Sequence, residues 1–293
     1  LPGYGDYKEV YVKIHDMISY RIRMVELEKV TEIQLTGHMR RNIIRNFMDV
    51  TAQRSVNQLI DIMRTADKSG CPAVIVSAGP SLDKNIQELK KAQGSAFIIV
   101  VDTALKAALR AEIIPDLTVC VDPQKEIVFF KHEKVKNVPA VFGMDIPHEI
   151  IEGHVGNRFY MGSGEFDIAN YFRRKYYGKD YSTIATGGSV ANTAVALAEV
   201  LGFRTIILMG QDLAFTDGRG HTKDAYDDEN KNINDAQNET NCEVEGIYGG
   251  MVKTEVRMRS YLKWFENNII SHPEIEFIDA TEGGALIHGT RIM

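Results

Sequence analysis

Apolar residues recur at helical spacing through the first part of the chain. Residues 16–65 contain no proline, and Gly37 is their single glycine. The apolar positions repeat every three or four residues, which is typical of helices with one buried face. They are Ile14, Ile18, Ile22, Val25, Ile43, Ile44, Phe47, Val50, Leu59, Ile60 and Met63. We therefore predict one or two long helices in residues 1–70, ended by the turn-forming residues 69–72.

Beyond Pro72 the pattern changes to short apolar runs separated by helical stretches. The runs are rich in β-branched residues and lack polar alternation, which is typical of strands buried on both faces of a parallel sheet. They occupy residues 73–76, 96–101, 117–121, 140–142, 205–209 and 275–278. The helical stretches occupy residues 83–91, 104–111, 123–130 and 190–201. This alternation predicts an α/β fold, a doubly wound Rossmann-like parallel sheet over residues 71–293, preceded by the helical segment 1–70.

One long polar stretch interrupts the alternation. Residues 215–246 are rich in Asp, Asn and Glu and show neither a helical nor a strand period. A loop of this length in a compact domain is either functional or disordered. Because it follows a predicted strand directly, a lid over a site and a surface insertion are both open interpretations.

Bulk properties exclude several classes of function. The net charge of −6 argues against a nucleic-acid partner, and Arg40 and Arg41 are predicted to lie on a solvated helix face. No apolar run reaches the roughly 18–20 residues that span a bilayer. Cys71, Cys120 and Cys242 are too far apart for a zinc pattern, and nothing suggests an oxidising compartment. We expect a cytoplasmic protein, and, since the chain begins with Leu1, a fragment of a longer one.

Polar residues follow nearly every predicted strand. In open parallel sheets, ligands bind beyond the carboxyl ends of the strands. The residues found there include Ser77, Gly79, Pro80, Ser81, Asp102, Thr103, Asp122, Asp145, Gln211, Asp212, Asp279 and Glu282. Single polar residues of this kind are ordinary turn chemistry. Their convergence on one edge of a sheet predicts a ligand site.

Two glycine-containing turns are suited to holding phosphate. Gly79-Pro80-Ser81 leads into one predicted helix, and the stretch from Thr186 to Ser189 opens another. Glycine allows close approach of the backbone, and the free amides of a helix N-terminus favour an anion. The alternative is that Ser81 and Ser189 only cap their helices. The predicted nucleotide-binding residues are Gly79, Pro80, Ser81, Asp102, Thr103, Asp122, Thr186, Gly187, Gly188 and Ser189.

Several familiar motifs are missing from the sequence. There is no G-x-x-x-x-G-K-[ST] and no complete G-x-G-x-x-G, which argues against a P-loop NTPase and a dinucleotide enzyme. There is also no Asp-x-Asp, the metal-diphosphate clamp of many glycosyltransferases. These absences favour a metal-independent reaction on a singly phosphorylated leaving group, with no cofactor and no metal site.

The motifs that are present resemble those of the motility-associated-factor (Maf) glycosyltransferases. The resemblance runs from about Cys71 to Gly289 and keeps the motifs in order. They are residues 76–82, Pro115-Asp116, Asp122, residues 186–191, residues 210–214 and residues 280–285. The resemblance implies transfer of a CMP-activated nonulosonic acid, such as pseudaminic or legionaminic acid, to Ser or Thr of flagellin or another protein acceptor.

The same layout is similar to that of bacterial sialyltransferases that use CMP-sialic acid. The catalytic His of those enzymes would fall within residues 248–255, where this sequence has Gly250 or a neighbour. The position of the base is therefore open. His221 is the candidate, since the pKa of histidine suits proton removal from a hydroxyl, and Asp212 and Glu282 compete with it.

Two other functions remain open. Related archaeal proteins resemble this core but act as pterin pyrophosphokinases, which use ATP and Mg²⁺. The other alternative is that the chain is a non-catalytic module that binds flagellin. Nucleotide binding distinguishes the three hypotheses: CMP-sugar, ATP with Mg²⁺, or none.

Overall fold

A computed structural model describes residues 7–52, 54–130, 133–162, 171, 175, 184, 187–225 and 242–293. Its helices in these residues are α1 (Lys8–Ala52), α2 (Val56–Thr65), α3 (Leu82–Asn85), α4 (Leu89–Ala92), α5 (Asp102–Arg110), α6 (His148–Gly153), α7 (Val190–Val200) and α8 (Val256–Ser271). Its strands are β1 (Arg54–Ser55), β2 (Ala73–Val76), β3 (Phe97–Val101), β4 (Leu117–Cys120), β5 (Ala140–Gly143), β6 (Arg158–Met161), β7 (Thr205–Met209), β8 (Cys242–Glu245), β9 (Met251–Thr254), β10 (Glu276–Asp279) and β11 (Arg291–Ile292).

Nine of these strands form one parallel sheet. Their order is β1-β6-β5-β4-β3-β2-β7-β10-β11, and each neighbouring pair is parallel. Every residue of β2, β4 and β5 is buried. Helices cover both faces of such strands, which is why their sequences are continuous apolar runs. The predicted fold class, an α/β parallel sheet preceded by a helical segment, is confirmed.

Three strands of the sheet are not predicted by the sequence. β6 begins with Arg158, and β1 and β11 contain two residues each, too few for a recognisable pattern. β1 lies within the segment expected to be helical, yet it pairs with β6 at one edge of the sheet. The division into a helical segment 1–70 and a sheet domain 71–293 stays a prediction.

Residues 123–130 and 215–246 differ from their predicted local structure. The stretch 123–130 is not a helix throughout, since only a 3-10 turn at Ile127–Phe130 forms there. The polar stretch 215–246 is not entirely a loop, because β8 pairs antiparallel with β9 as a separate hairpin. In β8 only Val244 is buried, so a strand with one solvent-facing side carries few apolar residues. Residues 226–241 lie outside the described residues.

The predicted helix over residues 83–91 is broken into α3, a 3-10 turn and α4. Asn85 marks the break with φ −125° and ψ 4°. Its side-chain amide donates to the carbonyl oxygen of Ala280 at 2.7 Å. This bond ties the break to the loop after β10, so a tertiary contact overrides the local helical preference.

The carboxyl-terminal end of α1 is fixed to the sheet by two buried asparagines. The side-chain amide of Asn46 donates to the carbonyl oxygens of Met144 and Ile146 at 3.0 and 2.8 Å. The side-chain amide of Asn42 donates to the carbonyl oxygens of Pro123 and Asp145 at 2.9 and 2.7 Å. These carbonyls belong to the loops that follow β4 and β5. The helix therefore lies against the carboxyl edge of the sheet. Among the described residues, no helix combines the length and the apolar character that crossing a membrane requires.

We predict that Asn46→Ala destabilises the protein by about 2–4 kcal/mol, because two buried carbonyl groups lose their donor. Urea unfolding followed by circular dichroism measures the change. Asn267→Ala, on the exposed face of α8, is the control and should change the free energy of unfolding by less than about 0.5 kcal/mol. Equal effects of the two substitutions would show that the Asn46 hydrogen bonds do not anchor α1.

Candidate functional site

The strand order reverses between β2 and β7, which are neighbours at the centre of the sheet. From β2 the chain moves outward through β3, β4, β5 and β6, and it then returns to β7 on the other side of β2. The loops that leave such a pair of strands diverge and open a crevice at the carboxyl ends. Residues 77–81 and 210–212 therefore border the place where a ligand is expected.

Asp212 fills this crevice with its carboxylate. The hydroxyl of Ser81 donates to Oδ1 at 2.6 Å, and the backbone amide of Ser81 donates to Oδ2 at 3.1 Å. A Cβ on Gly79 would overlap Oδ1 of Asp212 and lie 2.5 Å from the carbonyl oxygen of Gly210. Glycine is thus required at position 79 by the close approach of the two loops, and the neighbouring Pro80 is buried.

Ser81 does not cap α3. It makes no side-chain capping hydrogen bond, and its own backbone is helical, so the capping interpretation is wrong for this residue. Its hydroxyl is used instead to hold Asp212. Any ligand that contacts Ser81 also meets the carboxylate that this serine binds.

Burial raises the pKa values of two carboxyl groups in this region. It raises the pKa of Asp212 above its ordinary value of 3.8, while the hydrogen bonds from Ser81 act in the opposite direction. Burial also raises the pKa of Asp279, at the end of β10, and the nearby charge of Asp212 adds to the increase. A carboxyl group whose pKa is raised holds a proton more readily, as general acid–base catalysis requires.

His221 lies in a segment that is fastened over the end of β2. The amide of Thr222 donates to the carbonyl oxygen of Ala78 at 2.8 Å, and its hydroxyl donates to Asp83. The guanidinium of Arg219 donates to the same carboxylate at 2.8 Å. His221 is thus held between two anchored neighbours and remains partly exposed at the carboxyl edge of the sheet.

A cleft of about 780 Å³ opens beside this crevice. Its walls are residues 215–218, the loop that leaves β8, part of β9 and the loop after β10, which includes Glu282. The ammonium of Lys84 lies in the wall and donates to the carbonyl oxygen of Glu282 at 2.9 Å. The volume is within the range of about 300–1,000 Å³ typical of small-molecule sites.

Asp102 and Thr103 belong to a second, buried cluster at the ends of β3 and β4. The ammonium of Lys125 lies 2.8 Å from Oδ1 of Asp102 and also donates to the hydroxyl of Thr103. Asp102 is inaccessible to solvent, and its Oδ2 has no hydrogen-bond partner among the described residues. Burial acts to lower the pKa of Lys125, but the adjacent Asp102 outweighs it, so this pKa lies above 10.5.

The glycine turn before α7 packs against α8. Gly187 and Gly188 have φ values of +53° and +87°, which disfavour any other residue. A Cβ on Gly188 would lie 3.0 Å from the ring of Tyr261. The hydroxyl of Ser189 accepts a hydrogen bond from the amide of Asn192 at 3.1 Å, so the capping interpretation is confirmed for Ser189. Thr186 lies outside the described residues.

The predicted site residues thus fall into three groups along one edge. Gly79, Pro80, Ser81 and Asp212 meet at the switch point, next to Glu282 and the segment of His221. Asp102 accepts hydrogen bonds from the amide and hydroxyl of Thr103 at 2.6 and 3.0 Å, and both residues contact Lys125. The side chain of Asp122 accepts a hydrogen bond from the amide of Gln124 at 2.8 Å. Gly187, Gly188 and Ser189 form the third group. The assignment of these residues to nucleotide binding stays a prediction.

Lys84 and Lys125 are two cations of this edge that the sequence pattern did not indicate as site residues. Lys84 follows the Gly79-Pro80-Ser81 turn by three residues, a spacing that could have signalled a phosphate partner. Lys125 follows Asp122 in a stretch wrongly expected to be helical. No local signal shows that its side chain turns back to Asp102, because that contact depends on the pairing of β3 with β4.

Comparison with known proteins places this geometry in a family. A profile of the family described as "6-hydroxymethylpterin diphosphokinase MptE-like" matches residues 41–218, more than half of the chain. The chain belongs to this family. The matched residues include the loops after β2, β3, β4 and β7, which form most of the edge described above. A search of curated protein sequences found no significant match.

One solved structure resembles the MptE-like chain over most of its length. It is the Maf glycosyltransferase from Magnetospirillum magneticum AMB-1, with a TM-score of 0.61 and 22% sequence identity. The likeness covers 76% of this chain and 33% of that protein, so the chain spans about a third of its length. At this identity the comparison shows a shared fold. The resemblance to the Maf proteins expected from the sequence is confirmed at that level.

We predict that Asp212→Asn removes a pH dependence from the stability of the MptE-like chain. Because the pKa of Asp212 is higher in the folded protein than in the unfolded one, folding favours its protonated form. The contribution of Asp212 is therefore fully present below pH 3.8 and is lost as the pH rises through the folded pKa. Urea unfolding of both proteins from about pH 4 to pH 7 should show the wild type losing stability relative to the variant. A constant difference would contradict the prediction.

Proposed function

We propose that the chain is a glycosyltransferase that moves a CMP-activated nonulosonic acid, of the pseudaminic or legionaminic type, to a Ser or Thr hydroxyl of flagellin or another protein. The observation that carries the proposal is the crevice at the β2–β7 switch point. It joins a buried carboxylate, the Gly79-Pro80-Ser81 turn and a cleft large enough for a nucleotide sugar. The Maf fold of the similar structure supports the same reaction class.

The proposed reaction is a single displacement at the anomeric carbon. The acceptor hydroxyl loses its proton to His221, and its oxygen forms a bond to that carbon. The bond between the carbon and the phosphate oxygen of the donor breaks, and its electron pair leaves with CMP. Asp212 orients His221 or a donor hydroxyl, and its raised pKa makes it the second candidate for the base, with Glu282 the third.

The leaving phosphate needs groups that stabilise its developing charge. The helix N-terminus at Gly188 and Ser189 supplies backbone amides. Lys84 supplies a positive charge at the wall of the cleft, where its side chain is 44% exposed. Donors that are already in place when charge develops contribute on the order of 10²–10³ in rate each. The proposed reaction therefore uses side chains and amides of this chain without a divalent metal.

A second candidate function comes from the family description. A 6-hydroxymethylpterin diphosphokinase transfers diphosphate from a nucleoside triphosphate to a pterin hydroxyl, and the family profile bears that activity in its name. Both reactions begin with a hydroxyl nucleophile and a nucleotide donor. They differ in the bond that breaks, which is a carbon–oxygen bond in the first and a phosphorus–oxygen bond in the second.

We predict that CMP stabilises the protein more than ATP, UDP or GDP does, with or without Mg²⁺. Thermal shift measures this, since a ligand raises stability with the logarithm of its concentration over its dissociation constant. A shift with ATP that requires Mg²⁺ would replace the glycosyltransferase by the diphosphokinase. The absence of a shift with any nucleotide would favour the non-catalytic flagellin-binding module.

We predict that His221→Ala retains CMP binding but loses transfer by about 10²–10⁴, the usual contribution of a general base. His272→Ala is the matched control, because His272 precedes β10 and so lies at the opposite edge of the sheet. Transfer is measured by release of CMP in the presence of acceptor. Near-normal transfer by His221→Ala would move the base to Asp212 or Glu282.

A further inference from the structure

A second cleft lies at the carboxyl edge of the sheet, away from the switch point. Its volume is about 520 Å³, and it is bordered by α1, the loop after β4 and the loop that enters α6. None of the predicted site residues lines it, and the proposed transfer reaction does not use it. Its walls are mostly polar side chains, so it is not an unfilled part of the hydrophobic core.

The α1 wall of this cleft is basic. His38, Arg41, Asn42 and Arg45 line it, and their spacing of three, four and seven residues puts all four on one helix face. Arg41 is exposed, as expected of a solvated helix face, and it also borders the loop after β4 in this cleft. On a chain with a net charge of −6, this concentration of positive charge is a local exception.

The position of the basic face is fixed. Asn42, in its centre, is buried and donates to the carbonyl oxygens of Pro123 and Asp145. One turn further on, Asn46 holds α1 against Met144 and Ile146. The arginines therefore extend from a rigid backbone, and a ligand bound between them would not have to order the helix first.

The charge in the cleft is only partly neutralised. Arg45 donates to Glu149 at 2.6 Å, and this interaction contributes, after the backbone hydrogen bond of Glu149 itself, to lowering the pKa of that carboxyl group. Glu149 is the one acidic residue in the wall. Among the described residues, no carboxylate lies within ion-pair distance of Arg41 or His38.

We propose that this cleft binds the phosphate group of a small molecule, with Arg41 as its main contact and Arg45 as a second one whose charge Glu149 partly neutralises. A guanidinium group offers paired donors that match phosphate oxygens, and such charge-assisted bonds are among the strongest in proteins. The space beside Gln124 and Pro147 leaves room for a further group on the ligand.

The test is titration calorimetry of inorganic pyrophosphate into the protein and two charge variants. Arg41→Gln should weaken binding at least about tenfold, the effect of losing one charged hydrogen bond. Arg40→Gln, the matched control, removes the same charge from an exposed neighbour outside the cleft and should bind as the wild type does. Equal affinities of the two variants, or no pyrophosphate binding by the wild type, would overturn the proposal.

A third variant tests whether removing the acidic residue of the cleft strengthens pyrophosphate binding. Glu149→Gln removes the acidic group and releases Arg45, so pyrophosphate should bind several-fold more tightly, and weaker or unchanged binding would contradict the proposed role of Arg45. Vesicles of phosphatidylglycerol distinguish the source of the phosphate. Binding to vesicles without binding to pyrophosphate would overturn the small-molecule assignment in favour of a lipid headgroup.

Titration of CMP into the same variants separates this inference from the proposed function. Arg41→Gln should leave CMP affinity unchanged, because the switch point is formed by other elements. If no variant binds CMP but pyrophosphate binding depends on Arg41, the glycosyltransferase proposal fails and the second site stands. If CMP binds and Arg41→Gln leaves pyrophosphate binding unchanged, the second site fails and the glycosyltransferase proposal stands.

Discussion

The arrangement of the central loops depends on one buried carboxylate, that of Asp212. Its oxygens accept hydrogen bonds from the amide and hydroxyl of Ser81, while its backbone carbonyl accepts one from Ala285 at 2.7 Å. The loops after β2, β7 and β10 are thus joined through a single residue. A buried carboxylate without such partners would be strongly destabilising, so these contacts and the position of the loops are established together.

Two glycines make this junction possible. Neither Gly79 nor Gly284 has room for a Cβ, because each lies directly against Asp212. Gly284 in addition has a φ of +82°, which other residues rarely adopt. Residues 215–218 and 282–284 line the large cleft and lie close to this junction along the chain. The shape of the cleft therefore follows from how closely the backbone approaches one side chain.

Two of the buried acids at the sheet edge, Asp102 and Asp212, are compensated in different ways. Asp102 is paired with the ammonium of Lys125, whereas Asp212 is held by a neutral hydroxyl and an amide. A nearby cation favours the charged form of a carboxyl group, while burial without one favours the neutral form. Burial raises the pKa of Asp212, and the hydrogen bonds from Ser81 and the charge of Lys84 oppose this increase only in part. This difference makes Asp212 the better candidate for proton transfer and gives Asp102 a structural role in positioning Thr103.

Sequence patterns predicted the buried strands well, because a strand covered on both faces is mostly apolar, as β2, β4 and β5 are. They failed where structure depends on distant partners. β1 and β11 are too short to have a pattern, and the break at Asn85 exists because of a contact with Ala280. Ser81 and Ser189 have the same local signature, yet one binds a carboxylate and the other caps a helix. The sequence shows that a serine hydroxyl precedes each helix. The hydrogen-bond partner of that hydroxyl depends on which loop packs against the serine.

The two clefts are parts of one edge and have a fixed separation. The large cleft lies beside the ends of β7 and β10, and the basic cleft lies beyond the ends of β4 and β5. Between β4 and β7 the sheet has three strand steps, which correspond to about 14 Å at the usual spacing of about 4.8 Å. Because Asn42 and Asn46 fix α1 to the same loops, the basic residues cannot move independently of the sheet. Ligands in the two clefts would therefore occupy neighbouring positions along the carboxyl edge without competing for the same side chains.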